Sequence, residues 1–286
     1  MGFTVNYTDC NRILVDELQR SYGRKEMIMS ESNLITENRN YWSKRAATYS
    51  FDIREEELGG ALHHIWFETI DTIIGSHFCE KPRESISVLD IGTGPGFFSI
   101  ILAEAGYKVT AIDLSPSMLD EAKKNSGILA SKIAFQEMNA EELRFNDASF
   151  DVIVTRNLTW NLPHPDKAYT EWHRVLRPGG SLLNFDANWY RYLYNDEARI
   201  LYDEDRKNAK AAGISNDNPD VDYSDMEQIA LEIPLSRIMR PDWDIAFLSS
   251  LGFSVHADTD IWEKLWSEED KINFASTPMF MVHAVK

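Results

Sequence analysis

The apolar positions change their period along the chain, and each change marks an element. Near the N-terminus they recur at helical spacing: Ile13, Leu14 and Leu18, then Met27, Ile28 and Met29, predict polar, amphipathic helix within residues 1–35. In residues 38–50, Trp42, Ala46 and Tyr49 fall on one helical face. Leu62, Ile65, Trp66, Ile70 and Ile73 predict a further helix over 57–76. After the polar break Lys81-Pro82-Arg83-Glu84, short apolar runs begin to alternate with helical stretches. Strands are expected at 86–91, 108–112, 133–136, 149–156 and 181–186. Helices are expected at 95–105, from Pro116 onward, and within 165–180, where the helix ends in a turn. The run Val152-Ile153-Val154 suits a strand buried on both faces. This order predicts an α/β fold, a doubly wound, mostly parallel seven-stranded sheet with helices on both faces. Residues 187–240 break the rhythm. They are rich in Trp, Tyr, Asp and Glu, include a polar loop from Gly213 to Tyr223, and read as a partly helical insertion. A helix over 240–253, closed by Gly252, a sixth strand at 253–256 and a seventh, antiparallel strand at 280–285 complete the sheet, with 259–277 as a connection.

The chemistry concentrates where the first strand ends. Ser87 to Gly96 reads S-V-L-D-I-G-T-G-P-G, a strand, a glycine turn and a helix start. Glycine is needed where the turn demands backbone angles that a side chain forbids, and its bareness lets a ligand approach the backbone. The amides of the helix start point toward that ligand. The spacing of Gly92, Gly94 and Gly96 is G-x-G-x-G, with Asp90 just before it, whereas the dinucleotide fingerprint is G-x-G-x-x-G. The second strand ends at Asp113, about one βαβ step after Asp90, where a carboxylate suits the two hydroxyls of a ribose. Ser115 and Pro116 then read as the N-cap and first position of a helix. Arg156, Asn157 and Trp160 follow the fourth strand, at the sheet edge where α/β folds bind ligands.

Taken together, D-I-G-T-G-P-G, A-I-D-L-S-P-S-M-L-D-E-A, N-A-E-E-L at 139–143 and L-R-P-G-G at 176–180 resemble the Rossmann-like (class I) S-adenosylmethionine (SAM)-dependent methyltransferases of the small-molecule type. The segment W-x-x-x-A-x-x-Y at 42–49 resembles the one that caps the cofactor in such enzymes. The resemblance covers about 100 residues of the core. It implies SAM as cofactor and S-adenosylhomocysteine (SAH) as product. It implies that Gly92, Thr93 and Gly94 hold the methionine part, with Asp90 near its ammonium. Asp113 then binds ribose, with Leu114 and Met118 beside it, and Asn139 and Ala140 read adenine. Asn157 stands near the methionyl end, and Trp42 and Tyr49 close over it. The expected division is a helical cap at 1–80, a SAM-binding core at 81–186, a lid over the substrate at 187–240 and the last part of the core sheet at 241–286. Trp160, Trp189 and Tyr190 are candidate substrate contacts. If the reaction uses a general base, His164 is the candidate. The sequence departs from the D/N-P-P-Y/F pattern of amino-methylating nucleic-acid enzymes, and does not separate O-, N-, S- and C-methylation.

Composition narrows the partners. The 286 residues carry a formal net charge of −17, which repels phosphate backbones and disfavours nucleic acid. Cys10 and Cys79 make no C-x-x-C pair, so neither a disulfide framework nor a metal site is expected. The opening M-G-F-T-V-N-Y-T-D-C has no basic segment followed by an apolar one, and Asn6 stands where N-myristoylation wants Ser or Thr, so no signal peptide or lipid anchor is expected. The expectation is a cytoplasmic monomer or homodimer, off the membrane, acting on a small molecule or short peptide. Two other readings stay open: an NAD(P)-dependent oxidoreductase, and a SAM-binding regulatory protein without catalysis.

Overall fold

A computed structural model of the chain describes residues 31–60, 62–214 and 224–286. The helix expected within 1–35 and the polar loop from Gly213 to Tyr223 thus lie largely outside the described residues. Helix α1, Glu31–Asp52, runs into a π-helical turn, Ile53–Leu58. Helix α2, Leu62–His77, starts later than its apolar spacing predicted, because Gly59 and Gly60 interrupt the chain first. The alternating part follows as β1 (Ser87–Ile91), α3 (Phe97–Glu104), β2 (Lys108–Asp113), α4 (Pro116–Ser126), β3 (Ile133–Glu137), β4 (Phe150–Arg156), α5 (Pro165–Val175) and β5 (Leu176–Asp186). Helix α3 ends as its glycine foretold. Gly106 sits at φ 91°, and the amides of Gly106 and Tyr107 reach back to the carbonyls of Ala103 and Leu102, which closes a Schellman turn.

Residues 187–240, the expected insertion, supply α6 (Asp196–Ala211) and α7 (Ser224–Glu232). Then come α8 (Asp242–Ser250), β6 (Ser254–Asp258), the short helices α9 (Trp262–Leu265) and α10 (Glu268–Asn273), and β7 (Phe280–Val285). The seven strands lie in the order β3-β2-β1-β4-β5-β7-β6, and only the pairings of β7 are antiparallel. The order reverses beside β1, which opens a crevice at the carboxyl ends of β1 and β4. The fifth strand begins at Leu176 rather than at Ser181. Its register with β4 shifts between Phe150 and Val152, so Arg177–Gly180 bulge within the strand instead of forming a free turn. Asp151 anchors that bulge, accepting from the Arg177 guanidinium at 2.7 Å, Lys81 at 2.9 Å and the Ser87 amide at 2.9 Å. Burial would raise the Asp151 carboxyl, but these donors prevail and hold it below the usual range.

Alternate strand residues feed opposite faces. Leu89, Ile91, Ile153 and Leu182 pack under Tyr169, Trp172 and Trp243, while Val88, Val152, Val154 and Leu183 pack under Trp66, Phe97 and Phe98. A third cluster joins Leu34 and Tyr41 of α1 to Met226, Ile229 and Ala230 of α7 around Trp160. One charged group is sealed inside. Arg240 donates to Asp186 at 2.5 Å and to the two oxygens of Asp244 at 2.6 and 2.8 Å, and the side chains of all three are shut off from solvent. Tyr169 donates to Asp244 in the same nest. Asn188 clasps Arg240's backbone, donating to its carbonyl at 2.9 Å and accepting from its amide at 3.0 Å. Among the described residues, no helix is long and apolar enough to cross a membrane.

Candidate active site

The crevice widens into a cavity of ≈ 980 Å³, open mouth included. All twelve residues expected to hold a cofactor line it: Trp42, Tyr49, Asp90, Gly92, Thr93, Gly94, Asp113, Leu114, Met118, Asn139, Ala140 and Asn157. The glycine turn has a positive φ at Gly92, Gly94 and Gly96, of 67°, 53° and 98°. The third glycine has a packing reason. A Cβ on Gly96 would stand 3.2 Å from the Ala122 backbone, so this glycine lets α3 and α4 meet closely. The first leaves its room to a neighbour, since a Cβ on Gly92 would press on the Leu158 side chain at 2.9 Å.

Two carboxylates flank the turn. Asp113 accepts the Gly94 amide at 2.9 Å with one oxygen and the Ser115 amide at 2.8 Å with the other, so it fixes the turn and starts α4. Ser115 caps α4 by accepting the Met118 amide at 3.2 Å, with Pro116 at the first position. Asp90 accepts the hydroxyls of Thr93 at 2.6 Å and Ser99 at 2.5 Å. Burial pushes both acids up, each to about 6, against the hydrogen bonds that favour their charged forms. Asn139 turns its side-chain oxygen onto the Glu141 amide at 3.0 Å, and the Ala140 carbonyl accepts the Trp172 indole N–H at 2.9 Å, which ties the loop after β3 to α5.

Helix α1 bridges the rim. Asn38 exchanges hydrogen bonds with Asn161 at 2.9 and 2.8 Å, Ser43 meets Ser115 at 2.9 Å, and Arg39 meets Glu137 at 2.5 Å. On its underside Trp42 and Tyr49 stand edge to face at 5.6 Å, and Tyr49 lies over Gly94. Asn157 adopts φ 52°, and its side-chain oxygen is buried without a partner. Such an orphaned acceptor beside bare glycine backbone suits a ligand that carries its own donors, as the ammonium end of SAM does. The residues present therefore fit that cofactor.

A second cavity, ≈ 1760 Å³ with its mouth, adjoins the first and shares Trp42, Tyr49, Ile53, Arg156 and Asn157 with it. Trp160, Trp189 and Tyr190, the expected substrate contacts, line it. Trp160 stacks on Tyr190 at 5.0 Å and is held by its amide on Asp186 at 2.9 Å and its indole on the Asn157 carbonyl at 2.9 Å. Arg156 lies over the rings of Phe97 and Trp66 at 4.4 and 5.1 Å. The structure adds residues that sequence reading passed over, among them Asp52, Tyr202, Asp205, Arg206, Glu227 and Phe274. They come from remote segments and share no spacing, so no motif announced them.

His164 lines neither cavity. It precedes α5 and is buried, with its ring nitrogen Nδ1 2.9 Å from Glu141 and its amide donating to the same carboxylate at 2.7 Å. Its place after the fourth strand suggested a base, but its ring lies buried against Glu141, where it fastens the loop after β3. His63 and His64 pair with Glu104 at 3.0 Å and Glu68 at 3.2 Å.

Comparison with known proteins follows this geometry. Residues 89–184 match the family described as methyltransferase domain. The ubiquinone/menaquinone biosynthesis C-methyltransferase UbiE of Brucella anthropi is 30% identical over 171 residues, covering 58% of this chain and 62% of that protein. Its namesake in Vibrio vulnificus is 36% identical over 141 residues, covering 46% of this chain and 51% of that protein. The matched part thus spans little more than half the length of these curated relatives. Among solved structures, the plantazolicin methyltransferase BpumL, in complex with a triazolic desmethylPZN analog and SAH, superposes with TM-score 0.56 at 15% identity, covering 90% of this chain and 98% of that one. A chain from the complex between the Haloferax volcanii Trm112 methyltransferase activator and a methyltransferase gives 0.54 at 17% identity, covering 85% and 96%. At such identities these two show a shared fold.

Proposed function

We infer that this chain, a member of the Rossmann-like (class I) SAM-dependent methyltransferases by its domain match and its fold, transfers a methyl group from SAM to a small-molecule or short-peptide acceptor. The observation that carries the reading is the shared wall. The glycine-lined cavity opens on the aromatic one at Tyr49, Arg156 and Asn157, so two ligands can meet there with water displaced. The nicotinamide reading gives way to the domain match, since the loop is G-x-G-x-G and the third glycine serves helix packing.

When bound, SAM supplies a methyl group on a positively charged sulfur, ready for in-line displacement. The chain's part is to hold and orient. Asp113 accepts from the ribose hydroxyls, and the backbone of Gly92 and Gly94 lies against the methionine part. Asp90, with Thr93 and Ser99 on one of its oxygens, sets the turn that places those amides. Asn157 offers its unpartnered oxygen to the ammonium. Asn139 and Ala140 border the adenine, with Leu114 and Met118 along the ribose and base. Trp42 and Tyr49 cover the junction and keep water out. No residue is assigned as a base: His164 faces elsewhere, and an acceptor that is already nucleophilic needs none. The net charge of −17 supports an acceptor other than a nucleic acid, and we place the protein in the cytoplasm as a monomer or homodimer.

Calorimetric titration with SAM, SAH and NADH, on the wild type and on Asp113→Ala, tests the reading. Binding of SAM and SAH but not NADH is expected, with about a 100-fold loss in the variant, since a buried charged acceptor is removed. Methyl transfer from labelled SAM to any acceptor then excludes the non-catalytic alternative. Binding of NADH alone overturns the proposal.

A further inference from the structure

Asp205, on the inserted helix α6, is only 5% exposed and lines the second cavity. One carboxylate oxygen accepts the Ser276 amide at 2.8 Å, while the other has no hydrogen-bond partner among the described residues. No ion pair reaches Asp205 among the described residues. A carboxylate so little exposed, facing a cavity without a cation beside it, is unfavourable by itself, and the usual resolution is a positively charged partner. Its neighbour Arg206 does not serve. That guanidinium donates to the Asn273 side chain at 2.7 Å and to the Asn273 carbonyl, and lies over the ring of Tyr202 at 5.1 Å.

We propose that the second cavity takes an acceptor molecule bearing a protonated primary or secondary amine, with Asp205 as the anchor of the ammonium and the neighbouring aromatic faces as the walls for its apolar body. The proposal rests on the methyl-transfer reading above for the word acceptor, but not for the binding it describes. Tyr192 and Tyr202 stack at 4.0 Å and line the same cavity; Arg199 and Arg206 lie over their rings, so this pair supplies an apolar wall for the ligand's body and leaves the ammonium to Asp205. Three further carboxylates line the cavity, Asp52, Glu227 and Asp270, against two guanidiniums, Arg156 and Arg206, both turned onto aromatic faces. The field inside therefore favours a cation and repels a carboxylate or phosphate. The indole N–H of Trp189 is buried without a partner on the same wall, so the acceptor also carries a hydrogen-bond acceptor such as a carbonyl or ether oxygen. Asp205 is thus a residue that selects the acceptor by charge; the methylated atom is a separate matter.

The full chain, loaded with SAH, is titrated with phenethylamine, phenethyl alcohol and hydrocinnamate, a cation, a neutral molecule and an anion of similar size. Phenethylamine is expected to bind about tenfold tighter than the alcohol, and hydrocinnamate weakest. In Asp205→Asn, which keeps an acceptor for the Ser276 amide, that preference is expected to vanish while SAH affinity and Tm stay as in the wild type. Tyr202→Leu is expected to weaken the amine severalfold, with SAH affinity unchanged. The proposal is overturned if the amine has no advantage, if none of the three probes binds, or if the preference survives in Asp205→Asn. If SAH fails to bind the wild type while the amine preference persists in its absence, the cofactor reading falls and this one stands.

Discussion

The two cavities share a wall and are built on different principles. The first is made chiefly of backbone: strand ends, three glycines at positive φ, and amides of the turn and of α4 fixed by Asp113. The second is made of side chains that arrive from α1, α2, the insertion, α10 and the loop before β7. A site written in backbone geometry demands particular residues at particular spacings, because few residues tolerate those angles. A site written in side chains demands only that its walls be brought together. The first kind can recur in many proteins and the second need not, which is why the proposed acceptor selection is placed in the second.

The contrast can be tested from the strongest effect downward. The second cavity depends on the buried Arg240 group, which holds both ends of the insertion. Arg240→Met strands Asp186 and Asp244 as unpaired buried charges, and urea unfolding is expected to show a loss of about 3–5 kcal/mol. A loss below about 1 kcal/mol would mean that the insertion is held by its apolar contacts instead. Gly96→Ala attacks the first cavity through backbone alone. At φ 98° and with Ala122 3.2 Å away, it is expected to cost about 1–3 kcal/mol and to lower SAH affinity in parallel.

Next comes pH. Asp90 and Asp113 titrate near 6 in the ligand-free fold, above their ordinary values. Raised carboxyls contribute stability that is present below about pH 4 and lost as pH rises through about 6. The ligand responds in the opposite sense, because the ribose hydroxyls need Asp113 as a charged acceptor. Lowering the pH from about 7 to about 5 is expected to weaken SAH about tenfold, since one pKa unit corresponds to a factor of ten, while Tm of the unliganded protein holds or rises. Asp113→Asn is expected to flatten the affinity profile, and an unchanged profile would remove Asp113 from ribose binding. The smallest effect concerns His164. His164→Gln is expected to cost about 1 kcal/mol of stability through the lost Glu141 bond, and to change the rate of methyl transfer by less than about twofold. A hundredfold fall would restore it to the reaction.

The number of strands, their mostly parallel arrangement and nearly every strand boundary could be read from the sequence, because most buried strands are short apolar runs closed by a polar residue or glycine; the spatial order of the strands came from the structure. The exceptions have local causes. Residues 176–180 looked like a turn since Pro178, Gly179 and Gly180 are turn formers, yet Asp151 draws Arg177 inward and keeps the segment paired as a bulge. Helix α2 was expected from residue 57, but its apolar stripe begins at Leu62, after the glycine pair that interrupts the chain. In the first cavity, the wall position of Asp113 could be anticipated from its place about one βαβ step after Asp90, and that of Asn139 only from the resemblance of N-A-E-E-L. Asp205 could not: it lies in a polar helix, D-E-A-R-I-L-Y-D-E-D-R-K-N-A-K-A, where one acid among several becomes special only through Ser276, far along the chain.

Asp186 and Arg240 bracket the insertion, and Asn188 adds its two hydrogen bonds to the same clasp. With its ends pinned to each other, the segment between them can change in length at little cost to the sheet, although α6 and α7 keep contacts with α1, Trp160 and residues 273–276. Closing a flexible loop of twice the length costs only about 0.6 kcal/mol more, so the sheet is nearly indifferent to what the clasp encloses. The acceptor selection proposed for the second cavity can then be rewritten, by evolution or by grafting, within residues 190–238 and without touching the glycine turn, provided the arginine and its two carboxylates are left in place.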